Sequence, residues 1–332
     1  MKRRHLIRIA CAGALAGALV SSALAQTRDK VTLLLNWYVY SEHAPFFLGK
    51  EKGFYEAEGI DLDIQEGRGS AVSIQAVSAN SATFGYVDVP TMIRAATKGA
   101  PVKAVGVALQ LSPMAAMGLA EKNIKSPKDI IGKTVAMTPG DSMSQIWPLF
   151  LKKTGLQEGQ YKVVSGDGQT KLNAVINGQA DLLLGYVMDQ NIKIQDATKK
   201  PVEVIRFADY GITMVSSGVI AHKDTLANKA DMVRRFMRAT TRAFEETEKN
   251  PEASIDAMLK ANAKAGQRDT LIVGIKLTTP LYHSAETKGQ RPLRASMKDI
   301  NDSLDLLVQY GGLDPAVRGK AEDWVTNDFL PK

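Results

Sequence analysis

From Val31 onward, short apolar runs alternate with stretches in which apolar residues recur at helical spacing. Residues 31–37, 60–65, 82–87 and 102–109 read as strands. Between them, residues 44–58, 71–78 and 90–98 read as helices, the first closed by Gly59 and the third opened by Pro90. Strands separated so regularly by helices predict a mostly parallel sheet with helices on both faces.

A second unit of the same kind follows Ser112-Pro113. Residues 114–120 read as a strand crossing between units, and Ser126 as the N-cap of a short helix. Strands are expected at 133–137, 161–164, 181–186 and 202–207, with helices running to about residue 154 and over 169–177. The chain then returns through a strand at 217–222 to a long helix at 229–248, whose buried face would carry Met232, Val233, Phe236, Met237, Thr240 and Phe244. Helices at 251–260 and 297–310 follow, the latter ended by Gly311-Gly312, and Trp324, Phe329 and Leu330 supply enough apolar surface to dock the last segment. An excursion and return predicts two lobes joined by two crossings: residues 26–113 with 217–332 in one, 114–216 in the other. The units also echo each other. Ala76-Val77, Ala82, Gly85-Tyr86-Val87 and Asp88 recur as Ala174-Val175, Ala180, Gly185-Tyr186-Val187 and Asp189.

The N-terminus changes the compartment. Lys2, Arg3, Arg4 and Arg8 precede an apolar run over residues 9–20, and Ala23-Leu24-Ala25 offers small residues at the two positions a signal peptidase reads. Residues 1–25 read as a cleaved secretory leader, which makes the expected location periplasmic. Cys11, the only cysteine, lies inside the run without lipoprotein spacing, so the mature chain would hold no thiol, disulfide or thiolate metal site. Four of the 42 basic residues belong to the leader, leaving a near-neutral chain with no basic stripe for nucleic acid. No other apolar stretch approaches a transmembrane length.

The segment Leu35-Asn36-Trp37, with His43 six residues after the tryptophan, leads into Gly53-Phe54-Tyr55-Glu56-Ala57-Glu58-Gly59-Ile60 and Asp61-Leu62-Asp63-Ile64. This resembles the opening of periplasmic binding proteins of the nitrate–sulfonate–taurine and thiamine-pyrimidine-precursor superfamily, and the spacing from Trp37 to His43 is nearest the pyrimidine-precursor branch. Ile124-Lys125-Ser126-Pro127-Lys128-Asp129-Ile130-Ile131-Gly132-Lys133 is similar to the family's second-lobe opening. Val233-Arg234-Arg235-Phe236-Met237-Arg238-Ala239 with Asn250-Pro251-Glu252-Ala253 is similar to its return helix. The resemblance covers essentially the whole mature chain. It implies an α/β, type II periplasmic-binding-protein fold: two α/β lobes joined by a two-strand hinge, the ligand cleft between them. It also implies a monomer, with no cofactor, that hands a small molecule to the permease of an ATP-driven importer; a sensor or chemoreceptor partner, which uses the same fold, is the alternative. One departure falls where the ligand would lie: Tyr38-Val39-Tyr40-Ser41-Glu42 replaces the branch's Asn- and Thr-rich stretch.

Candidate ligand contacts follow from where open α/β sheets bind, outside the carboxyl ends of their strands. Trp37 ends the first strand and could stack on a planar ligand or belong to the core. Tyr86 and Tyr186 take equivalent places on later strands, in cleft or core, and Tyr38 and Tyr40 are candidates for a wall or for exposed surface. His43 sits at the mouth of the first helix, as a contact or as a capping or packing residue. Asp88 and Asp189 could accept from an amino group, and Asp88, before Pro90, could equally cap a helix. Gly67, Gly69 and Ser70 precede one helix and Gly140, Asp141 and Ser142 another, where free backbone N–H groups receive anionic or carbonyl groups.

Two enzyme readings compete. Gly140-Asp141-Ser142 has the letters of a hydrolase nucleophile motif but lies mid-chain without triad context. The pyrimidine-precursor branch has relatives that build the pyrimidine from a histidine and pyridoxal phosphate with iron and cysteines, whereas this chain is exported and would lose its one cysteine. His43, His222 and His283 show no metal-ligand spacing. An aromatic, acidic cleft points to a neutral or weakly basic heteroaromatic ligand such as an aminopyrimidine; a sulfonate, nitrate or aromatic carboxylate, with Arg68 as its partner, is the alternative.

Overall fold

A computed structural model describes residues 28–332, so the leader read over residues 1–25, Cys11 included, lies outside the described residues. Among the described residues ten strands form two five-stranded sheets. The first holds β1 (Asp29–Leu34), β2 (Ile60–Gln65), β3 (Phe84–Asp88), β4 (Val102–Val107) and β10 (Ser217–His222), in the order β2-β1-β3-β10-β4. The second holds β5 (Met114–Leu119), β6 (Thr134–Met137), β7 (Lys162–Ser165), β8 (Leu182–Tyr186) and β9 (Val202–Arg206), in the order β7-β6-β8-β5-β9. In each sheet four strands run one way and one runs against them: β10 is antiparallel to β3 and β4, and β5 to β8 and β9. The two orders are one pattern. Each antiparallel strand is the first the chain lays down after changing lobes, and β3 and β8, which carry the two Gly-Tyr-Val echoes, hold the same place.

Central strands are buried on both faces and read as continuous apolar runs, as in β5 and β10, where every residue is buried. The edge strand β7, Lys-Val-Val-Ser, is largely exposed. Helices α1 (Ala44–Glu51), α2 (Phe54–Ala57), α3 (Ser70–Ser78) and α4 (Val89–Ala96) connect the first strands. The second lobe has α5 (Ser142–Thr154), α6 (Gly168–Ile176) and α7 (Gln190–Thr198). After β10 come α8 (Lys223–Asn228), α9 (Ala230–Lys249), α10 (Pro251–Ala261), α11 (Arg268–Thr278), α12 (Met297–Gln309) and α13 (Ala321–Trp324). The expected face of α9 is buried, and Phe236 stacks on Phe84 of β3 with ring centroids 4.0 Å apart.

The crossings lie at residues 108–113 and 207–216, and they bond to each other. Ala108 N and Leu109 N donate to Ser217 O at 2.8 and 2.9 Å, and Ser216 N donates to Leu109 O at 2.8 Å. This pair of passages is the hinge. Of residues 114–120, expected to cross, Met114–Leu119 instead form β5 wholly inside the second sheet, and Ala120 begins the turn after it. The helix expected over 44–58 is two helices, because Gly53 adopts φ +69° and ends α1. Strand β1 stops at Leu34, leaving Trp37 in the bend beyond it.

Candidate functional site

Facing strand ends of the two sheets border a narrow cleft, lined from the first lobe by Asn36, Trp37, Tyr40 and Ser70. The second lobe contributes Asp141, Ser142, Met143, Lys171, Gly185, Tyr186, Asp189 and Gln190. The bend carrying Trp37 is tied to the loop before α3: Gly67 N donates to Trp37 O at 3.0 Å and Gly69 N to Asn36 O at 2.8 Å. That approach needs glycine, since a Cβ on Gly67 would fall 1.8 Å from Leu35 O. Gly69, at φ +125°, faces Gly140 across the rim; its Cβ would lie 2.9 Å from Gly140 O, which accepts from Ala71 N at 3.3 Å.

On the second lobe Asp141 caps α5, accepting from Ser144 N at 2.7 Å. Its other oxygen accepts from Lys171 Nζ at 3.3 Å, and Lys171 also donates to Leu184 O at 2.8 Å. Lys171 is only 2% exposed and places its ammonium 5.0 Å from the Trp37 ring centroid, a cation–π contact between the lobes. A second cross-lobe clasp surrounds Tyr38. Its hydroxyl donates to Asp189 Oδ2 at 2.5 Å and accepts from Gln190 Nε2 at 3.0 Å. Lys193 lies 4.1 Å over its ring and pairs with Asp189 at 2.8 Å. Burial, then Asp189, raises the Tyr38 hydroxyl pKa well above the ordinary tyrosine value. Trp37 and Tyr38 both press on Gly168, where a Cβ would come within 2.8 and 2.7 Å of them.

Behind the lining lies a buried polar layer. Glu42 accepts from the hydroxyls of Tyr40 and, at 2.9 Å, Tyr86, and burial raises its pKa to about 7. His43 is held neutral because burial lowers its pKa to about 3, and its Nε2 lies 2.8 Å from Asn36 Oδ1. Asp88 caps α4 through Thr91 N at 2.9 Å, and burial raises its pKa to about 6. A hydroxyl chain spans the lobes: Ser142 to Tyr186 at 3.0 Å, Tyr186 to Ser216 at 3.2 Å, and Ser216 donating to Asp88 at 3.4 Å.

Of the residues singled out from sequence, Trp37, Tyr40, Ser70, Asp141, Ser142, Tyr186 and Asp189 meet at the cleft. Gly69 and Gly140 meet at its rim, and Tyr38 reaches into the second lobe beside it. His43, Tyr86 and Asp88 are fully buried behind it rather than on its lining. Arg68 is absent from the lining, and among the described residues the cation there is Lys171. Sequence reading passed over Lys171 although it shares a helix face with Ala174 and Val175, three and four residues on, which places it inward. It also passed over Asn36, Met143 and Gln190; Asn36 stood within the Leu35-Asn36-Trp37 motif. Among the described residues no group of three His, Cys, Asp or Glu side chains could hold a metal ion, and no helix is long and apolar enough to cross a membrane.

Comparison with known proteins adds three findings. Residues 40–254 match the family described as NMT1/THI5 like. A 4-amino-5-hydroxymethyl-2-methylpyrimidine phosphate synthase of Legionella pneumophila is 26% identical over 290 residues, 87% of each chain. A formylaminopyrimidine-binding protein of Halalkalibacterium halodurans is 24% identical over 299 residues, 89% of this chain and 82% of that one. Among solved structures, the alkanesulfonate-binding protein SsuA of Xanthomonas axonopodis pv. citri, bound to MOPS, superimposes with a TM-score of 0.67 at 14% identity, over 90% of this chain and 98% of its own. At that identity the likeness speaks for the fold, that of the two-lobed periplasmic binding proteins.

Proposed function

The chain belongs to the NMT1/THI5-like family, and from that premise we propose that it is an extracytoplasmic solute-binding protein that closes two lobes on a small heteroaromatic molecule and delivers it to an ABC importer. The lobes are taken as residues 26–113 with 217–332, and 114–216. The observation that carries the reading is the cleft lined from both lobes, with the Trp37 ring on one side and the start of α5 on the other. A ligand touching both walls stabilises the closed form by its differential affinity for it. An indole wall favours a planar guest, and the pyrimidine named for the Halalkalibacterium halodurans relative is of that class.

Binding rather than turnover is favoured by the state of His43. A histidine consumed as a reactant must be reachable, and His43 is fully buried behind Asn36. The hydroxyl of Ser142 is hydrogen-bonded to Tyr186, and among the described residues no histidine lines the cleft. The protein is taken to act as a monomer, exported by its leader. A sulfonate or carboxylate is the second reading, favoured by the buried Lys171 ammonium, which Asp141 already neutralises.

A thermal-shift screen of the chain beginning at Gln26 tests this directly. Aminopyrimidines are expected to raise the melting temperature, by an amount that grows with ligand concentration over its dissociation constant. A shift with sulfonates or carboxylates alone would assign the second reading. Trp37→Ala is expected to abolish the aminopyrimidine shift, and an unchanged shift would remove Trp37 from the contact. Formation of a pyrimidine product by the purified protein would replace binding with catalysis.

A further inference from the structure

The acidic side chains at the cleft are already engaged by the chain itself. Asp141 accepts from Ser144 N and Lys171 Nζ; Asp189 accepts from Tyr38, Gln190 and Lys193. Asn36 is different. It lines the cleft, its Oδ1 lies 2.8 Å from His43 Nε2, and among the described residues no hydrogen bond runs from its Nδ2 to a side chain or to the backbone.

The orientation of that amide follows from donors and acceptors alone. The backbone N–H of Tyr40 points at His43 Nδ1 at 3.4 Å, and a backbone N–H can only donate, so Nδ1 is the acceptor. A neutral imidazole then carries its one proton on Nε2. The Asn36 atom facing Nε2–H must therefore be the carbonyl oxygen, which turns the NH2 group away from His43. Tyr40 and Tyr86 flank the imidazole edge-on, with ring centroids 4.7 and 5.7 Å away, so the ring cannot turn over without displacing them.

We propose that His43 is a positioning residue that locks the Asn36 amide with its NH2 toward the cleft, so that the ligand is recognised there through a hydrogen-bond acceptor of its ring. The inference rests on the reading of the cleft as a ligand site and adds to it the polarity of one contact: a ring nitrogen or carbonyl is accepted at Asn36, and a C–H or N–H is not. A donor left facing a C–H loses its partner on desolvation, which makes such a contact discriminating.

Three probes test it by titration calorimetry: 4-amino-5-hydroxymethyl-2-methylpyrimidine and the two pyridine analogues in which one ring nitrogen is replaced by C–H. The parent protein is expected to bind the pyrimidine about tenfold more tightly than at least one analogue. His43→Leu, which frees the Asn36 amide to turn, is expected to shrink that ratio, Asn36→Asp to abolish or invert it, and His43→Gln, which restores a donor toward Asn36, to recover part of it. A merely structural histidine would weaken all three probes by one factor and leave the ratio unchanged, and that result overturns the proposal. Long-range proton–nitrogen spectra of the unliganded parent decide the lock without any ligand. His43 is expected as the neutral Nε2–H tautomer at pH 7 and still at pH 5, and an Nδ1–H tautomer or an imidazolium at pH 5 overturns it. If none of the probes binds, the pyrimidine reading fails, and the nitrogen spectrum still decides the lock.

Discussion

Glu42 and His43 are adjacent, fully buried, and answer pH in opposite senses. Burial raises the Glu42 pKa from 4.5 to about 7, so between those values the folded state binds a proton that the unfolded state does not. Stability from Glu42 is therefore complete below pH 4.5 and is lost as pH rises through 7. Burial lowers the His43 pKa from 6.5 to about 3, so its contribution is complete above 6.5 and is lost as pH falls toward 3. Across pH 4.5–6.5 the two slopes oppose each other. Glu42→Gln is expected to gain stability relative to the parent as pH rises from 4.5 to 7, by a total on the order of 3 kcal/mol. Denaturant unfolding of both proteins at pH 4.5, 6 and 8 measures it, and a pH-independent difference would contradict the assignment. Asp141 and Lys171 form the other buried pair to probe. Asp141→Ala removes a helix cap and strands an ammonium, and should destabilise by about 3–5 kcal/mol. Adding Lys171→Met should restore part of that loss, whereas simple additivity of the two changes in chemical denaturation would show that the residues are not coupled.

At the scale of elements, what was legible in the sequence divides by how strongly a segment's pattern is tied to its burial. The strands and α9 were readable because a half-buried helix or a buried strand imposes its period on the residues. Helix α7 was not, because Gln-Asn-Ile-Lys-Ile-Gln-Asp-Ala-Thr offers only Ile192 and Ile194 to the core, a spacing that also suits a strand. Helix α11 was missed for the opposite reason. Leu-Ile-Val-Gly-Ile is apolar on every side, and Gly274 is there because a Cβ would strike Ser41 Oγ and Met188 O. The contacts of Tyr38, Lys171 and Gln190 join segments more than 130 residues apart, which no local period encodes. Tyr38 supplies a test at this scale. Tyr38→Phe deletes the donor to Asp189 at the start of α7 while keeping the ring under Lys193. The unliganded protein is expected to open further, seen as a larger radius of gyration by small-angle scattering; an unchanged radius would mean that the clasp does not hold the lobes together.

The whole molecule is one topological unit used twice, with each sheet receiving its antiparallel strand from the chain's arrival out of the other lobe. The echoing Gly85-Tyr86 and Gly185-Tyr186 fall on the corresponding strands β3 and β8. The two tyrosines differ in place: Tyr186 lines the cleft while Tyr86 donates to Glu42 behind it. The Trp37–Tyr38 bend packs on the start of α6, and a Cβ on Gly168 there would come within 2.7 Å of the Tyr38 ring. If the ligand is held between closed lobes, obstructing that contact must weaken binding without unfolding either lobe. The decisive measurement is calorimetric titration of the parent and of Gly168→Leu with whichever compound the thermal-shift screen identifies. At least about a tenfold loss of affinity is expected in Gly168→Leu, since a competent state made rarer lowers apparent affinity in proportion, with its melting temperature in the absence of ligand unchanged. Equal affinity for the two proteins would contradict it, because the ligand would then bind without the lobes meeting.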